Sequence, residues 1–144
     1  MTDQFPGLRR ILVGYDGSEP AARALRVALG LAEGLSARVW VVHATSLPPR
    51  VMEPQTEEQR GSEGAAVEST LRRVRELAGE RRVELEVVVR EGPAASVIEQ
   101  VATEVGAELV VVGTRGLRGA SHVLLGSVST AIVGHSHRPT LVVP

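Results

Sequence analysis

The 144-residue sequence contains no cysteine and no lysine. Without thiols there can be no disulfide, no thiolate nucleophile and no zinc-thiolate centre. Without ammonium side chains there is neither a Schiff-base lysine nor the lysine of a P-loop, since all 16 basic residues are arginine. Asparagine is also missing, and aspartate occurs only at positions 3 and 16, so Asp16 is the one aspartate beyond the N-terminal tail. Phe5, Tyr15 and Trp40 are the whole aromatic set. So few rings offer little for stacking unpaired bases. A net charge of −1 exerts no long-range pull on a polyanion. Nucleic acid is therefore not an expected partner. No apolar run approaches the roughly 20 residues of a membrane span, and residues 1–10 lack the order of a secretion signal. A cytoplasmic location with no membrane partner is expected. No G-x-S-x-G elbow occurs, which removes the serine hydrolases built on that turn.

What is present suits one domain spanning 1–144, whose core must come from Val, Leu, Ile and Ala. Residues 1–8 read as a loose tail. The run Arg10 to Tyr15 is a buried strand ending in Asp16-Gly17-Ser18, which carries helix-capping chemistry. Ala21, Leu25, Ala28, Leu29 and Ala32 then form the apolar stripe of a helix ending near Gly34. A strand follows at Arg38 to His43. Residues 45–64, with Pro48, Pro49, Pro54 and a charged run, lack a period and read as a mobile surface loop. Further patterns give a helix through Val67 to Ala78, an edge strand with one wetter face at Val83 to Val89, and a helix after Gly92-Pro93 whose Val97, Ile98, Val101, Ala102 and Val105 share one face. The most apolar strand, Leu109 to Val112, is expected to be central. A last helix around Val128 to His135 and a strand at Thr140 to Val143 complete a strict alternation of strands and helices. That order implies an α/β fold, with a mainly parallel five-stranded sheet covered on both faces.

In doubly wound sheets ligands bind beyond the carboxyl ends of the strands, where strand order reverses. Two loops lie at such ends: Gly14 to Ser18, and the stretch from Gly113 through Ser129. In the second, glycines admit close approach of an anion. Free amides at a helix start, with the hydroxyls of Ser127 and Ser129, can donate to phosphate oxygens. Arg115 and Arg118 can supply positive charge. The same spacing also suits a tight turn with no ligand, and Asp16 also suits a plain helix cap.

The segment Gly113-x2-Gly116-x9-Gly126-Ser127 resembles the ATP-binding signature of the universal stress protein family. Ile11 to Ser18 resembles that family's first strand and loop, and the likeness extends to Val41-Val42-His43 and to Pro139 through Val143. The resemblance implies strand order 3-2-1-4-5 and a homodimer formed through the last strands. It further implies that Gly14, Asp16 and Ala44 line the adenine and ribose end of a site. Gly113, Thr114, Arg115, Gly116, Gly126, Ser127, Val128 and Ser129 would hold ribose and phosphates. Ala44 departs from the bulkier aliphatic residue usual in the family, which loosens the base pocket.

The expected function is that of an ATP-binding stress-response regulator, with or without Mg2+ beside the nucleotide. Hydrolysis should be slow at most, because a phosphate-loop lysine and a placed carboxylate are both lacking. The alternatives are a module of the same fold that binds no nucleotide, and a cyclic-AMP binder. His43 reads as a packing or hydrogen-bonding residue, His135 and His137 as ordinary helix-end histidines, and the pairs Arg72-Arg73 and Arg81-Arg82 as solvated faces.

Overall fold

A computed structural model describes residues 7–45, 57–114 and 127–144. Among the described residues nine elements alternate: β1 (Arg10–Gly14), α1 (Glu19–Leu35), β2 (Arg38–Thr45), α2 (Glu57–Ala78), β3 (Leu85–Glu91), α3 (Ala94–Val105), β4 (Leu109–Gly113), α4 (Ser127–His135) and β5 (Thr140–Val143). The strands form one sheet in the order β3-β2-β1-β4-β5, and every pairing is parallel.

Alternation along each strand separates two cores, because successive side chains leave opposite faces of a pleated sheet. Ile11, Val13 and Tyr15 point toward α1 and α2, packing with Leu25, Leu29 and Val74. Leu12, Val42 and Val112 point toward α3 and α4, packing with Ile98, Val101 and Ile132. The first core is unusually rich in alanine: Ala21, Ala22, Ala24, Ala28 and Ala32 all face inward from α1. Such small side chains let the helix lie close to the sheet.

α1 starts where its sequence says it should. Ser18 takes the N-cap position, its Oγ accepts from the amide of Ala21 at 3.2 Å, and Pro20 sits in the first turn. Its other end differs from expectation. Gly34 remains helical, and it is Ser36 that turns left-handed, at φ 55°, with its amide bonded to the Ala32 carbonyl.

Other expectations need correction. Residues 57–64 belong to α2 and not to a loop, while residues 46–56 lie outside the described part. β3 is shifted two residues onward from its expected position, and it does lie at the sheet edge. β4 is interior, but β1 occupies the middle. Leu8, assigned to a loose tail, packs against the α1 and α2 core.

The edge strand β3 carries its polar residues in a defined arrangement. Trp40 pairs in register with Glu86, and its indole Nε1 donates to Glu86 Oε2 at 3.1 Å. Arg38 lies 5.0 Å from the Trp40 ring centroid and bonds the same carboxylate. At the start of β5, Arg138 donates to the Ala107 carbonyl, Glu99 Oε2 and Thr103 Oγ1, which fastens the β5 entry to α3.

Candidate functional site

The carboxyl ends of β1 and β4 lie side by side at the centre of the sheet, yet the chain leaves them for different edges. From β1 it passes to β2, and from β4 to β5. A crevice must open between two such departures. It is a cavity of about 290 Å³ bounded by the ends of β1, β2 and β4 and by the first turns of α1, α3 and α4.

Seven of the residues singled out from sequence meet there: Gly14, Asp16, Ala44, Gly113, Thr114, Val128 and Ser129. Ser127 begins α4, while Arg115, Gly116 and Gly126, with Arg118, lie outside the described residues. The cavity also takes in Tyr15, Ala21, Val42, Ala94, Ile98 and Val112, which sequence reasoning had not placed in it. Ile98 was legible as a member of a helix stripe. That the stripe's first turn would overhang a strand end was not.

The two sides of the cavity differ in chemistry. Val42, Ala44, Ala94, Ile98 and Val112 present hydrocarbon from the α3 side. The loop ends present polar backbone and short polar side chains. Asp16 is exposed, and its Oδ1 accepts from the Ser18 amide at 2.9 Å, which shapes the turn into α1. Capping of α1 itself therefore falls to Ser18, and Asp16 braces the cap.

The β1 end is held by backbone. Tyr15 donates its amide to the Val42 carbonyl at 2.9 Å, and its own carbonyl lies 2.9 Å from His43 Nδ1. A carbonyl can only accept, so Nδ1 carries the proton and His43 serves as a donor to backbone. The Tyr15 side chain turns away into the first core, only 4% exposed, with the Arg73 guanidinium of α2 close to its hydroxyl. Burial raises the phenol's pKa above its ordinary value, and the Arg73 charge and hydrogen bond oppose that rise. Arg73 is thus more than a solvated residue.

The β4 end is held as firmly. Thr114 donates its amide to the Val143 carbonyl at 2.9 Å, and its carbonyl accepts from Ser129 Oγ at 3.2 Å. Ser129 is buried, and its single hydroxyl proton joins the start of α4 to the end of β4. Gly113 meets α1: a β-carbon there would lie 2.7 Å from the Pro20 carbonyl carbon and 2.9 Å from the Ala21 amide. Gly17, at φ 86°, supplies the left-handed turn after Asp16.

Among the described residues no group of three or more His, Cys, Asp or Glu is placed to hold a metal, and no helix is long and apolar enough to cross a membrane.

The sequence profile of the universal stress protein family matches residues 7–144. The chain belongs to that family. Among curated universal stress proteins, one from Thermus aquaticus, encoded in the QAH/OAS sulfhydrylase 3′ region, is 35% identical over 136 residues, covering 94% of this chain and 98% of the relative. Among solved structures, the universal stress protein UspA from Lactobacillus plantarum superimposes with a TM-score of 0.79 at 21% identity, covering 96% of this chain and 99% of its own, which speaks to fold alone. A universal stress protein solved in complex with cAMP superimposes with a TM-score of 0.76 at 26% identity, covering 96% of this chain and 98% of its own. The observed strand order is the one this family implies.

Proposed function

We propose that this universal stress protein is a single nucleotide-binding domain that takes ATP in the cavity between the β1 and β4 ends and acts as a regulator, not as a fast enzyme. The observation that carries the reading is the division of that cavity into a hydrocarbon wall on the α3 side and a polar wall of strand ends and helix starts. A nucleotide has the same division, a flat base at one end and anionic oxygens at the other. In this reading the base lies against Ala44 and its neighbours, and Asp16 faces the ribose. The phosphates run past Gly113 and Thr114 toward the start of α4, with Arg115, Gly116, Gly126 and Ser127 completing the cradle.

Asp16 is the only carboxylate among the described lining residues. A Mg2+ ion would therefore be held mainly by phosphate oxygens and water, with at most Asp16 from this wall. Asp16 Oδ1 accepts from Ser18, and the described wall offers no second carboxylate and no lysine to orient an attacking water. Turnover below about one per second is expected.

Cyclic AMP is a second reading, brought by the solved relative in complex with cAMP. The engaged groups at the β4 end favour it to a degree: the amide and carbonyl of Thr114 and the proton of Ser129 already have partners within the fold. A single cyclic phosphate asks for fewer donors than a triphosphate. β5 pairs only with β4 among the described strands and leaves Leu141 exposed, which supports a homodimer through this edge.

Isothermal titration of nucleotide-free protein with ATP and with cyclic AMP decides among these readings. Saturable heat with ATP supports the proposal, and heat with cyclic AMP alone moves the ligand to the second reading. Silence with both at millimolar concentration leaves a module whose glycine loop serves only structure. Sedimentation of the same sample tests the dimer.

A further inference from the structure

We infer that β3, at the opposite edge of the sheet from β5, is a separate self-association surface that takes the β3 of a second copy of this chain, antiparallel and centred on Val88. Among the described strands β3 pairs only with β2, in an unbroken register over seven residues, so its outer edge is long and has no bulge. It holds neither proline nor lysine, two residues that commonly blunt an exposed edge. Val87, Val88 and Val89 at its middle are half-buried and β-branched, which suits a paired strand.

The backbone fixes which groups face outward. Val39 donates its amide to the Glu84 carbonyl, and the Gly92 amide donates to the Thr45 carbonyl. Bonding direction alternates along a strand, so the even-numbered residues of β3 serve β2, and Leu85, Val87, Val89 and Glu91 turn their amides and carbonyls away from it. Antiparallel strands exchange bonds between such outward residues when they stand directly opposite. A twofold axis at Val88 meets that condition along the whole strand: Leu85 faces Glu91 of the second copy, and Val87 faces its Val89.

The charges obey the same symmetry. Glu86 comes opposite Arg90 of the second copy, twice over, and opposite charges across an antiparallel pair stabilise it. Within the described residues the bonds of Glu86 to Trp40 and Arg38 both fall on Oε2. Those of Arg90 to Gln100 and Glu104 come from Nη1 and Nη2. Glu86 Oε1 and Arg90 Nε are thus left for the other copy. A register centred on Val87 or on Val89 shortens the ladder and sets one of these charges against Val88.

Because the chain has no cysteine, a single introduced thiol is unique. Val88→Cys protein is treated with glutathione disulfide, which takes up the two electrons as two introduced thiols join, and covalent dimer is followed by electrophoresis without reductant. At the twofold the two α-carbons lie about 4.5 Å apart, inside the range of about 4.4–6.8 Å that a disulfide spans. In Val87→Cys and in Val89→Cys the new thiol faces the other position and not its own, so Val88→Cys should cross-link at least about tenfold faster than either. Equal rates in the three variants, or no covalent dimer in Val88→Cys, overturn the inference. Should Val88→Cys not fold, Val89→Pro tests the same edge, since it deletes an amide that β2 does not use and an edge strand accepts proline there. Two bonds vanish from each pair of copies, so the dissociation constant of the pairing, measured by sedimentation, should rise at least about tenfold. A wild type that stays monomeric at millimolar concentration, or whose association Val89→Pro leaves unaltered, overturns the inference. Neither result touches the nucleotide reading.

Discussion

Gly14 and Gly113 stand at the ends of adjacent strands and line the same cavity, but the atoms that forbid them a side chain are of different kinds. At Gly14 the obstacle is the far end of a flexible side chain, Ile98 Cδ1 at 2.7 Å, backed by Val112 Cγ1 at 3.2 Å. At Gly113 it is the backbone where α1 begins, the Pro20 carbonyl carbon and the Ala21 amide, together with the proline's own β-carbon at 2.8 Å. A side-chain tip can turn aside. A helix start that is capped by Ser18 and packed through five alanines cannot do so without moving the whole element. One glycine is thus tied to the shape of the pocket and the other to the closeness of α1 and β4, although both belong to the loops that carry the resemblance.

Gly113→Ala is the largest expected effect. Overpacking against backbone should destabilise the fold by about 3 kcal/mol, at the upper end of the range for an added carbon in a tight site. Urea unfolding followed by circular dichroism measures it. A loss below about 1 kcal/mol would mean that α1 yields readily, and the comparison would break. The same variant warns against a common inference. Loss of nucleotide binding in Gly113→Ala would not by itself locate a phosphate at this glycine, because the displaced Ala21 also lines the cavity.

Gly14→Ala should cost less, about 1–2 kcal/mol, and part of that cost should be recoverable. Ile98→Val removes the one atom that lies closest to the new methyl group. In a double-mutant cycle the pair should be more stable than the sum of the single changes by about 0.5–1 kcal/mol. Strict additivity would show that the tip of Ile98 is not the obstacle at Gly14, and the comparison would break.

The sheet and most of its helices were legible because their signals are local. The runs at β1 and β4 are short, apolar and closed by glycine, and the stripes of α1 and α3 keep a helical period. The first turns of α2 had no such signal. Only Val74 of α2 is fully buried among the described side chains, so the polar residues at 57–64 show no apolar stripe, and Pro54 just before them suggested a loop. Good helix formers such as Glu, Gln and Arg sustain a helix there without one. Ser36 was missed for the opposite reason: Gly34 offered the usual helix stop, and the left-handed turn fell two residues later. The cavity was legible as two loops but not as a volume. Its apolar wall is shared by β2, β4 and α3, and nothing local in Ala94 or Ile98 reveals that α3 completes it. Likewise, the hydroxyl of Ser129 has the chemistry of a phosphate donor, and only the fold shows it bound to Thr114.

Ser129→Ala sharpens that last distinction. Deleting the hydroxyl leaves the Thr114 carbonyl without its Ser129 donor and should cost about 1–2 kcal/mol. If the hydroxyl serves the fold, the loss will be the same with and without saturating ATP. A variant of unchanged stability whose ATP affinity falls more than about tenfold would return Ser129 to the ligand.

The smallest effect concerns the other side of the β1 end, where Tyr15 leaves the cavity for the first core. Burial is the main cause of its raised pKa, so the folded protein resists forming the phenolate more than the unfolded chain does. Linkage then fixes the sign. Below about pH 10, the ordinary tyrosine value, the phenol is neutral in both states and stability is unaffected. Above it the unfolded chain loses the proton first, so stability falls as pH rises toward the folded value. Tyr15→Phe keeps the ring and has no proton to lose, so its stability should decline less steeply above pH 10 than that of the wild type. It should also be slightly less stable at neutral pH, for want of the hydroxyl's interaction with Arg73. Chemical denaturation from pH 8 to 11 compares the two slopes. Parallel curves would mean that the phenol is as easily ionised in the fold as out of it, and that burial of the Tyr15 ring against α2 does not hold its proton.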